Sequence, residues 1–93
     1  MDKVAMFESI TQNLAEIYKR KNHDYGDSFG KQYEQYGLVS SAIRLGDKYN
    51  RFVSLVEKGE NLVKDETIED TLLDLANYSI MTVIELRRDR ECK

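Results

Sequence analysis

Apolar residues recur at three- and four-residue spacing along nearly the whole chain, the period of a helix with one covered face. Phe7, Ile10, Leu14, Ile17 and Tyr18 paint one such stripe and predict a first helix from about Lys3 to Lys21. It closes on Lys19, Arg20 and Lys21, cations that suit the negative end of the helix dipole. From Asn22 to Gly30 the sequence concentrates Asn, Asp, Gly and Ser, which reads as a turn. Asp27 or Ser28 is suited to cap a short second helix ending near Tyr36, with Gly37 as the break.

A third helix is predicted from about Leu38 to Lys58. Its arc of Leu38, Ala42, Leu45, Tyr49, Phe52, Val53 and Val56 predicts the covered face, with Arg44, Asp47 and Arg51 on the opposite side. Gly59 stops it, and a polar loop runs from Glu60 to Glu66. The fourth helix starts near Thr67, which with Asp70 resembles a capping box. Ile68, Leu72, Leu75, Ala76, Val83 and Leu86 form its main arc, and Leu73, Ile80 and Ile84 widen it. A helix that apolar needs cover on more than one side, and part of that cover is expected from another subunit.

Composition agrees with this pattern. The chain has 93 residues, no proline and five glycines, which favours long helices over turn-rich sheets. The expectation is a single helical domain over residues 1–93: all-α, a compact bundle of about four helices, assembled as a homo-oligomer. A lone cysteine, Cys92, excludes a disulfide scaffold. There is no membrane-length apolar run and no signal-like start, so a cytoplasmic protein without a membrane partner is expected. A net charge of −3 argues against a general binder of duplex DNA. In so short a chain, a ligand pocket shared between subunits is expected.

The stretch from Lys19 to Phe29 is chemically the most unusual. Cations and free backbone N–H groups can hold phosphate, and aromatic rings can stack on a base. The candidate ligand set is Lys19, Lys21, Asn22, His23, Asp24, Tyr25, Gly26, Ser28 and Phe29, joined by Arg44, Lys48 and Arg51 from the third helix. Within it, Lys19, Lys21, Arg44 and Arg51 suit phosphate, Tyr25 and Phe29 suit a base, and Asn22 and Ser28 supply hydrogen bonds. The same stretch also reads as a helix-ending cation run and a capped turn with core aromatics. His23, the one histidine, suits either acid–base work or a backbone hydrogen bond. Tyr33 and Tyr36 suit core packing, a ligand cover or a subunit contact.

Asp70, Asp74 and Asn77 share a stripe of the fourth helix. The two carboxylates are candidate ligands for Mg²⁺, which prefers oxygen donors and can activate water. Their position favours, over a metal site, pairing with Arg44 and Arg51 across a helix interface. No nucleophile with a His and acid partner can be assembled, and no Walker or Rossmann glycine loop is present.

Three blocks, KNHDYGDSF (Lys21 to Phe29), RLGDKYNR (Arg44 to Arg51) and EDTLLDLANYSIM (Glu69 to Met81), resemble the nucleotide modification associated domain, type 1, a small helical family common in phages and prophages. The likeness covers roughly Leu14 to Leu86 and implies business with nucleotides. More distantly, Glu66, Glu69, Asp70 and Asp74 resemble the second acidic helix of the all-α, MazG-like nucleotide pyrophosphohydrolases. The first acidic motif of those enzymes is missing; only Asp47 and Glu57 stand on the third helix. By size, context and site composition, the chain is also similar to phage sponges, which withhold a nucleotide signal from a host defence effector. Binding without turnover is therefore the leading expectation, with no cofactor. The alternatives are a Mg²⁺-dependent triphosphate pyrophosphohydrolase and a non-catalytic accessory subunit of a nucleotide-modification complex.

Overall fold

The computed structural model describes residues 2–59 and 66–91. These residues form four helices, α1 (Lys3–Tyr25), α2 (Ser28–Tyr36), α3 (Leu38–Glu57) and α4 (Glu66–Glu91), and no strand. The all-α expectation holds. Of the predicted loop from Glu60 to Glu66, residues 60–65 lie outside the described residues, as does Cys92. Among the described residues α4 begins at Glu66, one residue before the predicted start.

The main correction to the helix boundaries concerns α1, which continues past Lys21 to Tyr25. Asn, His and Asp are tolerable in a last turn, and the stop comes at Gly26. There the chain turns left-handed (φ 58°), and the Gly26 N–H closes onto the Asn22 carbonyl. The turn is therefore Gly26–Asp27 rather than Asn22 to Gly30. Asp27 is itself left-handed (φ 38°) and caps α2, its carboxylate accepting from the Gly30 N–H at 3.2 Å. A Cβ at position 30 would meet that carboxylate and displace it from this capping position.

α3 and α4 pack along one another, α2 lies across both, and α1 rests on α4. The faces that meet are not the predicted ones. On α3, Ser41, Arg44, Leu45, Lys48, Phe52 and Leu55 turn inward, roughly a quarter turn from the predicted arc. Arg44, expected outside, is on the inner side. Leu38, Tyr49 and Val56, expected in the core, are exposed. On α4, Thr71, Thr82 and Glu85 are buried, while Leu72, Ile80, Val83 and Ile84 are exposed.

The result is an interior with few apolar residues. Leu14, Phe29 and Tyr33 are its buried hydrophobic residues, beside Ser40, Ser41, Thr71, Thr82 and Glu85. The hydroxyls of Thr71 and Thr82 donate to carbonyls one turn back, at 2.7 and 2.8 Å, and that of Ser40 to Gly37 at 2.9 Å. The Ser41 Oγ has no partner among the described residues. On α1 the stripe of Val4, Phe7 and Ile10 is exposed, although the same face further on buries Leu14.

The bundle is not compact. Its extents are 47 × 30 × 24 Å and its radius of gyration is 15.1 Å, against about 12 Å for a compact chain of this length. Its accessible surface is 7352 Å², where a compact monomer of this mass exposes about 5,600 Å².

Candidate functional site

Extending α1 to Tyr25 aligns Tyr18, Lys21, Asn22 and Tyr25 on one face, at i, i+3, i+4 and i+7. Asp74, Asn77, Tyr78 and Met81 share a face of α4 in the same way. Between these faces, with the α1–α2 turn at one end, lies a cavity of about 300 Å³. Asp27, Ser28, Phe29 and Arg44 complete its lining.

One wall is a three-part stack. The Phe29 and Tyr78 rings lie nearly parallel, 14° apart with centroids at 5.8 Å. The Arg44 guanidinium carbon is 5.6 Å from both centroids, so it straddles the pair. Its Nε donates to the Gln32 Oε1 at 2.9 Å, which fixes the fork. Phe29 is 5% exposed and is part of this wall, not a free platform for a base. The free aromatic is Tyr25, 72% exposed at the cavity.

The cavity floor is electrostatically balanced. Lys21 and Arg44 bring positive charge; Asp27 and Asp74 bring negative charge. The Asp74 oxygens each face a lysine: Oδ2 meets Lys48 at 3.1 Å and Oδ1 meets Lys21 at 3.7 Å. The expected pairing of Asp70 and Asp74 with Arg44 and Arg51 is therefore replaced by a lysine pair on Asp74. Asn22 and Asn77 line the cavity, and neither side-chain amide makes a hydrogen bond among the described residues.

Six of the candidate ligand set line this cavity, Lys21, Asn22, Tyr25, Ser28, Phe29 and Arg44, together with the metal candidate Asp74. Lys48 stands behind it, holding Asp74. Lys19 is exposed and faces Glu16 at 3.8 Å, away from the cavity. His23, Asp24 and Arg51 are exposed and do not line it, and Gly26 acts as the helix stop. Tyr18, Asp27, Tyr78 and Met81 line it without having been expected at a ligand site, Tyr18 having been read as part of the apolar stripe and Asp27 as a cap; Asn77 had been noted only beside the acidic pair.

Asp70 is exposed and off the cavity. Among the described residues no three His, Cys, Asp or Glu side chains are grouped to hold a metal ion. With both Asp74 oxygens engaged by lysines, the Asp70–Asp74 pair does not fit the Mg²⁺ site considered from sequence. No helix of the described residues is long and apolar enough to cross a membrane.

No curated protein and no solved structure matches the chain. A family model, nucleotide modification associated domain 1, matches residues 21–86. That span begins at the cavity's Lys21 and carries every lining residue except Tyr18. The chain belongs to the nucleotide modification associated domain 1 family.

Proposed function

We propose that the protein binds a nucleotide, or a signalling molecule derived from one, in the cavity between α1, α2 and α4, and holds it without turning it over. The observation that carries this reading is the convergence of an unoccupied aromatic face, Tyr25, two unpaired amides, Asn22 and Asn77, and a cation, Lys21, on one cavity. A base stacks on Tyr25, the amides offer donors and acceptors to its edge, and Lys21 meets phosphate. The volume is at the small end for ligand sites, which suits one nucleotide. Balanced lining charge favours a ligand with few phosphates over a triphosphate chain. The family's description supports a nucleotide as ligand.

The functional unit is a homo-oligomer. A polar interior beneath apolar outer faces is the reverse of a stable monomer's pattern. The surface in excess of a compact monomer, about 1,800 Å², exceeds the roughly 800 Å² that one partner covers in a standard interface. In an infected cell's cytoplasm, a phage-encoded oligomer of this kind acts as a sponge, withholding the nucleotide from a host defence effector.

The test is to incubate the protein with a nucleotide panel and Mg²⁺, remove free ligand, denature, and identify what is released by mass spectrometry. Intact nucleotide near one per chain supports the reading; accumulating product overturns it. Tyr25→Ala weakens retention by roughly 5- to 150-fold, the value of one stacking contact, while helical circular dichroism is unchanged because the ring is exposed. Asp74→Asn separates binding from hydrolysis by sign. It frees Lys21 and Lys48, so phosphate-bearing ligands bind up to roughly fivefold more tightly at low salt. In the hydrolytic reading the same variant abolishes turnover.

A further inference from the structure

The outward side of α3 carries a glycine for which the single chain supplies no reason. Gly46 lies in mid-helix, with helical rather than left-handed backbone. A Cβ built there would meet nothing within 4 Å. A helix-interior glycine weakens a helix relative to alanine, through backbone entropy. With no turn to make and no close neighbour to admit among the described residues, that loss is uncompensated in one copy.

Its surroundings are equally out of place on a surface left to water. Val39, Ala42, Ile43, Tyr49, Asn50 and Val53 stand around Gly46 at three- and four-residue spacing. They occupy the side of α3 opposite Arg44, Lys48 and Phe52, which face the bundle. None of the six is charged, over about four turns of helix, whereas a solvent-facing helix side is normally polar. Val39, Ile43 and Tyr49 are 64%, 60% and 57% exposed.

We propose that two copies of the chain meet on this face, α3 crossing its counterpart antiparallel with Gly46 at the crossing point. The inference rests on the homo-oligomer proposed above and names its surface. The order of side chains about Gly46 is self-complementary. In a two-fold antiparallel pair centred there, residues equally far before and after Gly46 come level: Ile43 with Tyr49, Ala42 with Asn50, and Val39 with Val53. A ring then meets a branched aliphatic chain, and the one amide meets the smallest side chain of the six. Glycine at the centre lets the two backbones approach closely enough for these side chains to touch. That symmetry selects a second copy over an unrelated partner. So does area: the surface beyond a compact monomer's, about 1,800 Å², exceeds the roughly 800 Å² that each partner loses in a standard interface. None of these α3 residues lines the cavity between α1, α2 and α4.

Gly46→Ala tests the proposal by sign. Light scattering follows the mass of the intact protein over a dilution series, and urea denaturation is read at the lowest concentration. In a lone chain the substitution raises the urea midpoint, because the added methyl meets nothing and the helix gains propensity. Across the proposed interface it sets two methyls at the point of closest approach. The dissociation constant then rises roughly 5- to 150-fold, the range of an overpacked contact, so the variant loses mass at a higher concentration than wild type. Ile43→Lys, at an exposed position, lowers the mass in the same way by placing unpaired ammonium groups in the contact. An oligomeric wild type whose mass neither variant changes overturns the proposal and leaves the homo-oligomer to another face. A wild type that is monomeric throughout the series overturns both.

Discussion

Replacing Phe29 with alanine lowers unfolding stability by about 3–5 kcal/mol, the usual cost of deleting a buried aromatic ring. The loss is a large share of the roughly 5–15 kcal/mol available to a small domain. Phe29 is one of few buried apolar side chains here, beside Leu14 and Tyr33, and it supports both Tyr78 and Arg44. Its removal leaves a void that a polar interior has little apolar material to refill. Urea denaturation followed by circular dichroism reads the loss as a lower midpoint. Protein concentration is held constant, because assembly shifts apparent stability. Phe29→Leu keeps most of the volume and should cost under about 1.5 kcal/mol. If alanine and leucine behave alike and wild-type stability persists, the stack is not a structural wall.

Arg44→Ala costs about 2–4 kcal/mol in the same assay. The side chain contributes cation–π contact to two rings, each worth about 0.5–2 kcal/mol by its degree of burial. It also donates a charged hydrogen bond to Gln32, a contact worth about 1.5–3 kcal/mol. These are not additive, since one guanidinium makes all three contacts. Arg44→Lys should recover less than half of the loss, because an ammonium cannot present a planar face to both rings and a fixed N–H to Gln32. Full rescue by lysine would mean that charge, not the fork's geometry, is what the wall requires. Either substitution also removes a cation or its geometry from the cavity between α1, α2 and α4, so under the proposed function ligand affinity falls with it.

Local signals served where glycine and capping chemistry decide the outcome. Asp27 and Gly37 mark the ends of α2, and α3 ends within a residue of the place its apolar pattern and Gly59 indicate. The same reasoning stopped α1 one turn early, because Asn22, His23 and Asp24 look turn-like while the helix runs to a left-handed Gly26. That turn matters to the site. Only with the helix extended do Tyr18, Lys21, Asn22 and Tyr25, a third of the cavity's twelve lining residues, fall on one face, so their shared face was hidden by a boundary.

The covered faces of α3 and α4 were misread for a deeper reason. Hydrophobic periodicity locates the side of a helix that avoids water, and it does not say whether that cover comes from the same chain. In this protein Leu38, Tyr49, Val56, Leu72 and Val83 form strong periodic stripes yet lie exposed in the single chain. Hydroxyls bonded to helix carbonyls, with Arg44 and Lys48, occupy the contact between helices instead. The aromatic, amide and cation composition of the candidate site was legible between Lys21 and Phe29. The pairing of Asp74 with Lys48 was not, because it depends on that quarter-turn rotation of α3, and its pairing with Lys21 depends on how α1 rests on α4.

The most direct measurement is the nuclear magnetic resonance of the side-chain amides as a nucleoside monophosphate is added to isotopically labelled protein. Asn22 and Asn77 stand on opposite walls of the cavity without partners, so both NH₂ groups report a base that reaches them. The account predicts that both pairs of signals shift together, saturate at one ligand per chain, and stop shifting in Tyr25→Ala. Nucleotide-induced shifts that bypass Asn22 and Asn77, or no saturable shift with any nucleotide, would contradict it.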